Sequence, residues 1–172
     1  TLENVAGGHY NVAIGFETLN DIVTGAYNVA IGYQAADAMG VGESHNIAIG
    51  ASALGTMDEG TNGTVDGNIA IGHYAFVGGN LNTASNTIMD NIAIGKSSLD
   101  ATGANAQLGT IAIGRDALGG LTTGAGNIAI GYQSLQQHTT GARNIAIGYG
   151  SMNGTTGDAD DAPASIDNVF IG

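Results

Sequence analysis

The chain has 172 residues, 30 of them glycine and only 1 proline, with aromatics at 5% and a formal net charge of −12. A field of that sign repels phosphate backbones and argues against nucleic acid as a partner. The lack of cysteine excludes disulfides and thiolate metal sites, and no apolar run approaches the roughly 18–20 residues that cross a bilayer, so this segment is not expected to insert into a membrane.

Taken in chain order, the predicted elements are one motif written nine times. NVAIG begins at Asn11 and Asn28, NIAIG at Asn46, Asn68, Asn91, Asn127 and Asn144, TIAIG at Thr110 and NVFIG at Asn168. Aligned on the motif glycine (Gly15, Gly32, Gly50, Gly72, Gly95, Gly114, Gly131, Gly148 and Gly172), the copies stand 17, 18, 22, 23, 19, 17, 17 and 24 residues apart. Two variable residues, a small one and then a large apolar one follow the glycine, as in FETL, ASAL, RDAL and YQSL. A single catalytic site needs no such repetition, whereas a stack needs one copy per layer. The start TLENVAGG is not a signal peptide, and the chain begins without methionine and ends on a motif glycine. The expectation is one repeat domain over 1–172, a segment of a longer array.

Alternation with period two places both aliphatic residues of each NIAIG on one face and alanine on the other, in a short strand flanked by turn residues. The larger side chains are expected inside: Ile14, Ile31, Ile49, Ile71, Ile94, Ile113, Ile130 and Ile147, joined from a facing segment by Leu19, Leu54, Leu99, Leu118 and Leu135. Burying three aliphatic side chains yields about 5–9 kcal/mol, while ordering one repeat costs roughly 17–34 kcal/mol of backbone entropy. No layer stands alone, so the expected fold is all-β, a parallel β-solenoid of about nine rungs spaced about 4.8 Å apart.

Ala13, Ala30, Ala48, Ala70, Ala93, Ala112, Ala129 and Ala146 are identical in type where a solvent-facing wall would drift, with Phe170 the one departure. Something limits that side chain's size in every layer. The expected cause is a neighbouring chain, which makes these alanines candidates for the interface of a close-packed oligomer. The motif glycines, Gly15 through Gly148, are assigned to a corner, either for a left-handed φ or for the lack of a Cβ where backbones approach. The repeated asparagine either turns the chain through a side-chain to backbone bond or stacks as an amide ladder.

These residues resemble the NSVAIGxxS-type repeats in the heads of YadA-like trimeric autotransporter adhesins. The longer spellings TTGARNIAIGYGSM, TTGAGNIAIGYQSL and TGAYNVAIGYQAA are similar to repeats of long phage tail-fibre proteins. The resemblance spans essentially the whole chain and implies a left-handed β-roll packed as a homotrimer, with the motif alanine near neighbouring chains. Two features depart from the YadA type: no small residue stands between the asparagine and the first aliphatic, and the repeats are longer.

Inserts at 37–45, 55–67, 77–90, 100–109 and 153–167 are read as loops, the usual place for binding in repeat proteins. Asp158, Asp160 and Asp161 in DADDA are weak oxygen ligands for a hard cation such as Ca²⁺, without the framing glycines of a calcium loop; a solvated acidic loop is the preferred reading, and no cofactor is expected. The four histidines lack metal-ligand spacing, and the acids lack the pairing that glycoside hydrolysis requires, so no catalytic residue is assigned and the chain is not expected to be an enzyme. Phe16, Tyr33, Tyr74, Tyr132 and Tyr149, just after the motif glycines, are read as covering adjacent layers, with stacking on glycan rings as the second reading.

The sequence reading is a structural and adhesive segment of a trimeric extracellular fibre, a phage tail fibre on the virion, that displays loops to a host cell-surface receptor, glycan or protein. The runner-up is the head of a bacterial trimeric autotransporter adhesin at the cell surface. A solenoid polysaccharide depolymerase ranks below both, because its acids would cluster on one wall. An ice-binding solenoid would want regular outward threonine, which is missing.

Overall fold

The computed structural model describes residues 6–57, 63–78, 86–103, 105–153 and 166–172. Every element is a β-strand of 2–3 residues. Nine of them carry the motif and hydrogen-bond in parallel as one sheet: β1 (Val12–Ile14), β2 (Val29–Ile31), β3 (Ile47–Ile49), β5 (Ile69–Ile71), β7 (Ile92–Ile94), β9 (Ile111–Ile113), β10 (Ile128–Ile130), β11 (Ile145–Ile147) and β12 (Val169–Ile171). The register never slips: Val12 pairs with Val29, Ala13 with Ala30, Ile14 with Ile31, and so on to Ile147 with Ile171. A second sheet of three strands, β4 (Thr64–Asp66), β6 (Thr87–Met89) and β8 (Gln107–Leu108), lines another wall in the repeats of 22, 23 and 19 residues between Gly50 and Gly114. The chain is a parallel β-solenoid.

The faces of the motif strand are the reverse of the expectation. Ala30, Ala48, Ala70, Ala93, Ala112, Ala129 and Ala146 are completely buried within this chain, and Ala13 is partly buried against the same core. The aliphatic side chains assigned to the core lie instead on the outer face, with Ile31, Ile49, Ile71, Ile94, Ile113 and Ile130 half-buried and Ile14 and Ile147 exposed. Alternation decides which residues share a face; the width of the interior decides which face turns inward. Here the alanine column packs across a thin core whose other members include Thr18, Ala35, Ala53, Ala75, Ser98, Ala117 and Ser134. A larger side chain at the alanine position has no room, so the size limit comes from the chain's own interior. Leu19, Leu54, Leu99, Leu118 and Leu135 do sit inside, fully buried, beside a further interior column of Ile22, Met39, Met57 and Leu121.

Tight corners keep the interior thin. Each non-glycine residue with positive φ falls at one of three repeat positions: just before the asparagine (Tyr27, φ 60°), two after the glycine (Gln34, φ 51°) or four after it (Leu54, φ 51°). A left-handed residue costs about 1–2 kcal/mol, and recurring rung after rung it persists because ladders above and below hold it. The motif glycine has both of its expected reasons at once. At Gly95, φ is +134° and an added Cβ would lie 2.6 Å from the carbonyl carbon of Gly114 in the next layer.

The asparagines build the ladder. Both the backbone N–H and Nδ2 of Asn28 donate to Asn11 Oδ1 (2.9 and 3.2 Å), and Asn46 repeats this on Asn28, Asn68 on Asn46 and Asn91 on Asn68. Each Nδ2 also reaches a carbonyl of the opposite wall, as Asn46 does to Val65 O at 2.9 Å. The backbone N–H of Thr110 donates to Asn91 Oδ1 at 2.9 Å, but its own buried hydroxyl oxygen is left without a partner. The pattern resumes from Asn127 through Asn144 to Asn168. These amides are buried, and satisfying every donor from within is what makes a polar column tolerable there.

Candidate functional site

With alanine and asparagine inside, the outer surface divides into columns that run along the rod. The first is apolar: two files of valine and isoleucine across the nine-stranded sheet, from Val12 and Ile14 at one end to Val169 and Ile171 at the other. Nine strands at about 4.8 Å spacing make this stripe roughly 40 Å long. A contiguous apolar strip running the length of a sheet is a candidate interaction surface.

The second column is the residue after each motif glycine: Phe16, Tyr33, Ala51, His73, Lys96, Arg115, Tyr132 and Tyr149. Backbone bonds between successive turns keep these positions in step, such as Ser52 N to Tyr33 O and Tyr74 N to Ala51 O. Phe16 stacks on Tyr33 with ring centroids 5.7 Å apart, and Tyr132 on Tyr149 at 5.1 Å. Arg115 lies over the Tyr132 ring at 5.8 Å, and its Nε meets Asp116 at 3.2 Å. Tyr74 falls one position later and leans on the His73 ring, centroids 4.1 Å apart.

The third column precedes the asparagine. Tyr10, Tyr27 and His45 stack at 5.0 and 5.3 Å, and further along Arg143 Nε and Nη2 donate to the two carboxylate oxygens of Asp167 at 2.6 and 3.0 Å. The hydrogen bond from Arg143 lowers the Asp167 carboxyl below its ordinary value. Both partners are well exposed, so the pair contributes little stability.

Two acids among the described residues are perturbed by burial. Burial raises the Asp37 carboxyl to about 6, with smaller contributions from the charges of Asp21 and Glu17, and burial raises Asp100 in the same direction. Glu17 accepts a hydrogen bond from Gln34 Nε2 at 2.7 Å. Among the described residues no group of three histidine or acidic side chains could hold a metal ion. Asp158, Asp160 and Asp161 lie outside the described residues. Two features went unseen in the sequence. Glu43 is buried, with neither carboxylate oxygen hydrogen-bonded, beside a cleft of about 190 Å³ lined by Val41, Gly42, Gly63, Thr64 and Val65. The ends of the inserts 55–67, 77–90 and 100–109, read as loops, form β4, β6 and β8 and send Val65, Ile88 and Gln107 into the interior. Repeat alignment on the asparagine would have found both, because Glu43, Val65, Ile88 and Gln107 each stand three residues before that position.

No helix among the described residues is long and apolar enough to cross a membrane. The chain matches no family model, no curated protein and no solved structure.

Proposed function

We propose that this chain is a structural and adhesive segment of a trimeric extracellular fibre, a tail-fibre rod of nine rungs on a phage virion, without enzymatic activity. One observation carries the reading: the unpartnered valine and isoleucine stripe along the nine-stranded sheet. The stripe is straight and in register, so a second and third copy laid parallel would cover it along its whole length. That moves the subunit contact from the alanines to the aliphatic side chains beside them. The loops and the two polar columns would then face outwards, three times over, towards a host surface receptor, and three identical faces raise apparent affinity without a strong single site.

Light scattering coupled to gel filtration tests the reading. A mass three times the 17.0 kDa chain is expected. A monomer at micromolar concentration would overturn it, because a fibre stripe of this size should not stay exposed.

A further inference from the structure

The column after the motif glycines holds a ring or a cation in each turn except one. Ala51 presents a single methyl group between Tyr33 on one side and His73 on the other. Two rung spacings separate those rings, about 9.6 Å. A flat ring in van der Waals contact on both faces needs roughly 7–8 Å, so the notch admits one ring-shaped group. Tyr33 is half exposed and stacks on Phe16 through only one face, and His73 is held in place by Tyr74.

Beyond His73, the next two positions of the same column are Lys96 and Arg115. The whole sequence contains three strong bases; Arg143 is tied up by Asp167, and Arg115 meets Asp116 at 3.2 Å, which leaves Lys96 as the base that carries the contact to an anion. Lys96 is exposed and makes no ion pair among the described residues. Two of three cations on adjacent turns, in a chain of net charge −12, is a placement that ring stacking does not require.

We propose that the Tyr33–Ala51–His73 notch with Lys96 and Arg115 binds a glycan, a neutral pyranose in the notch and the carboxylate of a following acidic sugar on Lys96. Charge density selects this ligand over other anions. At physiological salt, charges act over about 8 Å, so a densely charged polymer would also meet Asp100 and Asp116, which follow in the same turns. A glycan whose carboxylates alternate with neutral sugars meets the cations at lower charge density and spares the acids. Nucleic acid fits the rings but not that acidic surround. The inference rests on the adhesive half of the fibre reading and names its ligand class; it does not depend on the oligomeric state.

The test is a titration of the intact chain with a hyaluronan hexasaccharide, which alternates neutral and carboxylate sugars, and with its carboxyl-reduced form, followed by NMR. Binding of the acidic form is expected, weakened about tenfold by Lys96→Ala, while affinity for the reduced form stays unchanged in that variant. Ala51→Gln, which fills the notch from the surface, should weaken both forms at least tenfold with the melting temperature unaltered. No binding at millimolar sugar, equal binding by Ala51→Gln and the parent, or an equal loss for both sugars in Lys96→Ala would each overturn the proposal. A trimer that fails to bind removes the notch and leaves the rod; a monomer that binds removes the trimer and leaves the notch.

Discussion

The two faces of the motif strand carry opposite side chains for opposite reasons. On the inner face alanine is identical in type from Ala13 to Ala146 and shut off from solvent from Ala30 onward, while one residue away on either side valine and isoleucine stand half in water. In a rounded core the larger aliphatic side chain wins the interior because it removes more apolar area. In this solenoid the corners fix the wall-to-wall distance first, and the interior takes only what fits. The large side chains are left on the outer surface.

Substituting the inner face should have the largest effect. Ala93→Gln with Ala112→Gln forces two amides into adjacent layers of a closed core, each costing about 1–3 kcal/mol in overpacking and a further 1–3 kcal/mol or so in polar burial. Loss of the cooperative thermal transition and of the β signal in circular dichroism is the expected result. A variant that kept its fold and only changed its mass would return these alanines to a subunit contact.

The outer face should respond the other way. Ile94→Lys with Ile113→Lys leaves the β spectrum intact, since half-exposed substitutions shift chain stability by only about 0.5 kcal/mol, but reduces the light-scattering mass to that of one chain. Retention of the trimer would show that the stripe is not the seam.

A smaller effect separates the turns from both faces. Burial raises the Asp37 carboxyl to about 6 in the fold from its ordinary value of 3.8 in the unfolded chain, so ionising it costs the folded state stability. That penalty is complete above pH 6 and gone below about 4, so the melting temperature should rise as pH falls through this window. Asp37→Asn should flatten the rise, and adding Asp100→Asn, whose carboxyl is raised in the same direction, should flatten it further. An unchanged pH profile in the double variant would place the titration elsewhere.

The smallest effect is a repair. Thr110→Asn supplies the missing member of the amide ladder and removes a buried hydroxyl without a partner. About one or two net hydrogen bonds at about 1 kcal/mol each should raise the melting temperature by roughly 2–8 °C in a chain of this size.

Repetition, strand, parallel stacking and glycine corner were all legible in the sequence, because a pentapeptide with strict alternation and an invariant glycine admits few physical solutions. The direction of the faces was not. The thin core depends on left-handed corners at residues such as Glu17, Gln34 and Leu54, whose side chains carry no preference for that conformation. Asparagine allowed either a turn or a ladder, and the choice rests on whether the next copy lies one layer away, a matter of register and not of local sequence. The notch at Ala51 was hidden for a related reason: a missing side chain becomes a feature only when its neighbours stand directly above and below.

The nine residues from asparagine to the buried leucine position, Asn11 to Leu19 in the first copy, keep the same length in each full copy, whereas the spacing between copies runs from 17 to 24. All growth is confined to one sector of the circumference. Such a chain behaves as a ruler with a free margin. Duplicating a whole copy lengthens the rod by one graduation and disturbs no other, and inserting residues in the margin redecorates the rod at constant length. A single residue added inside the nine would throw one rung's amide and glycine out of line with both neighbours. Reach and ornament are therefore written in separate parts of the gene, and selection can change either one while leaving the other alone.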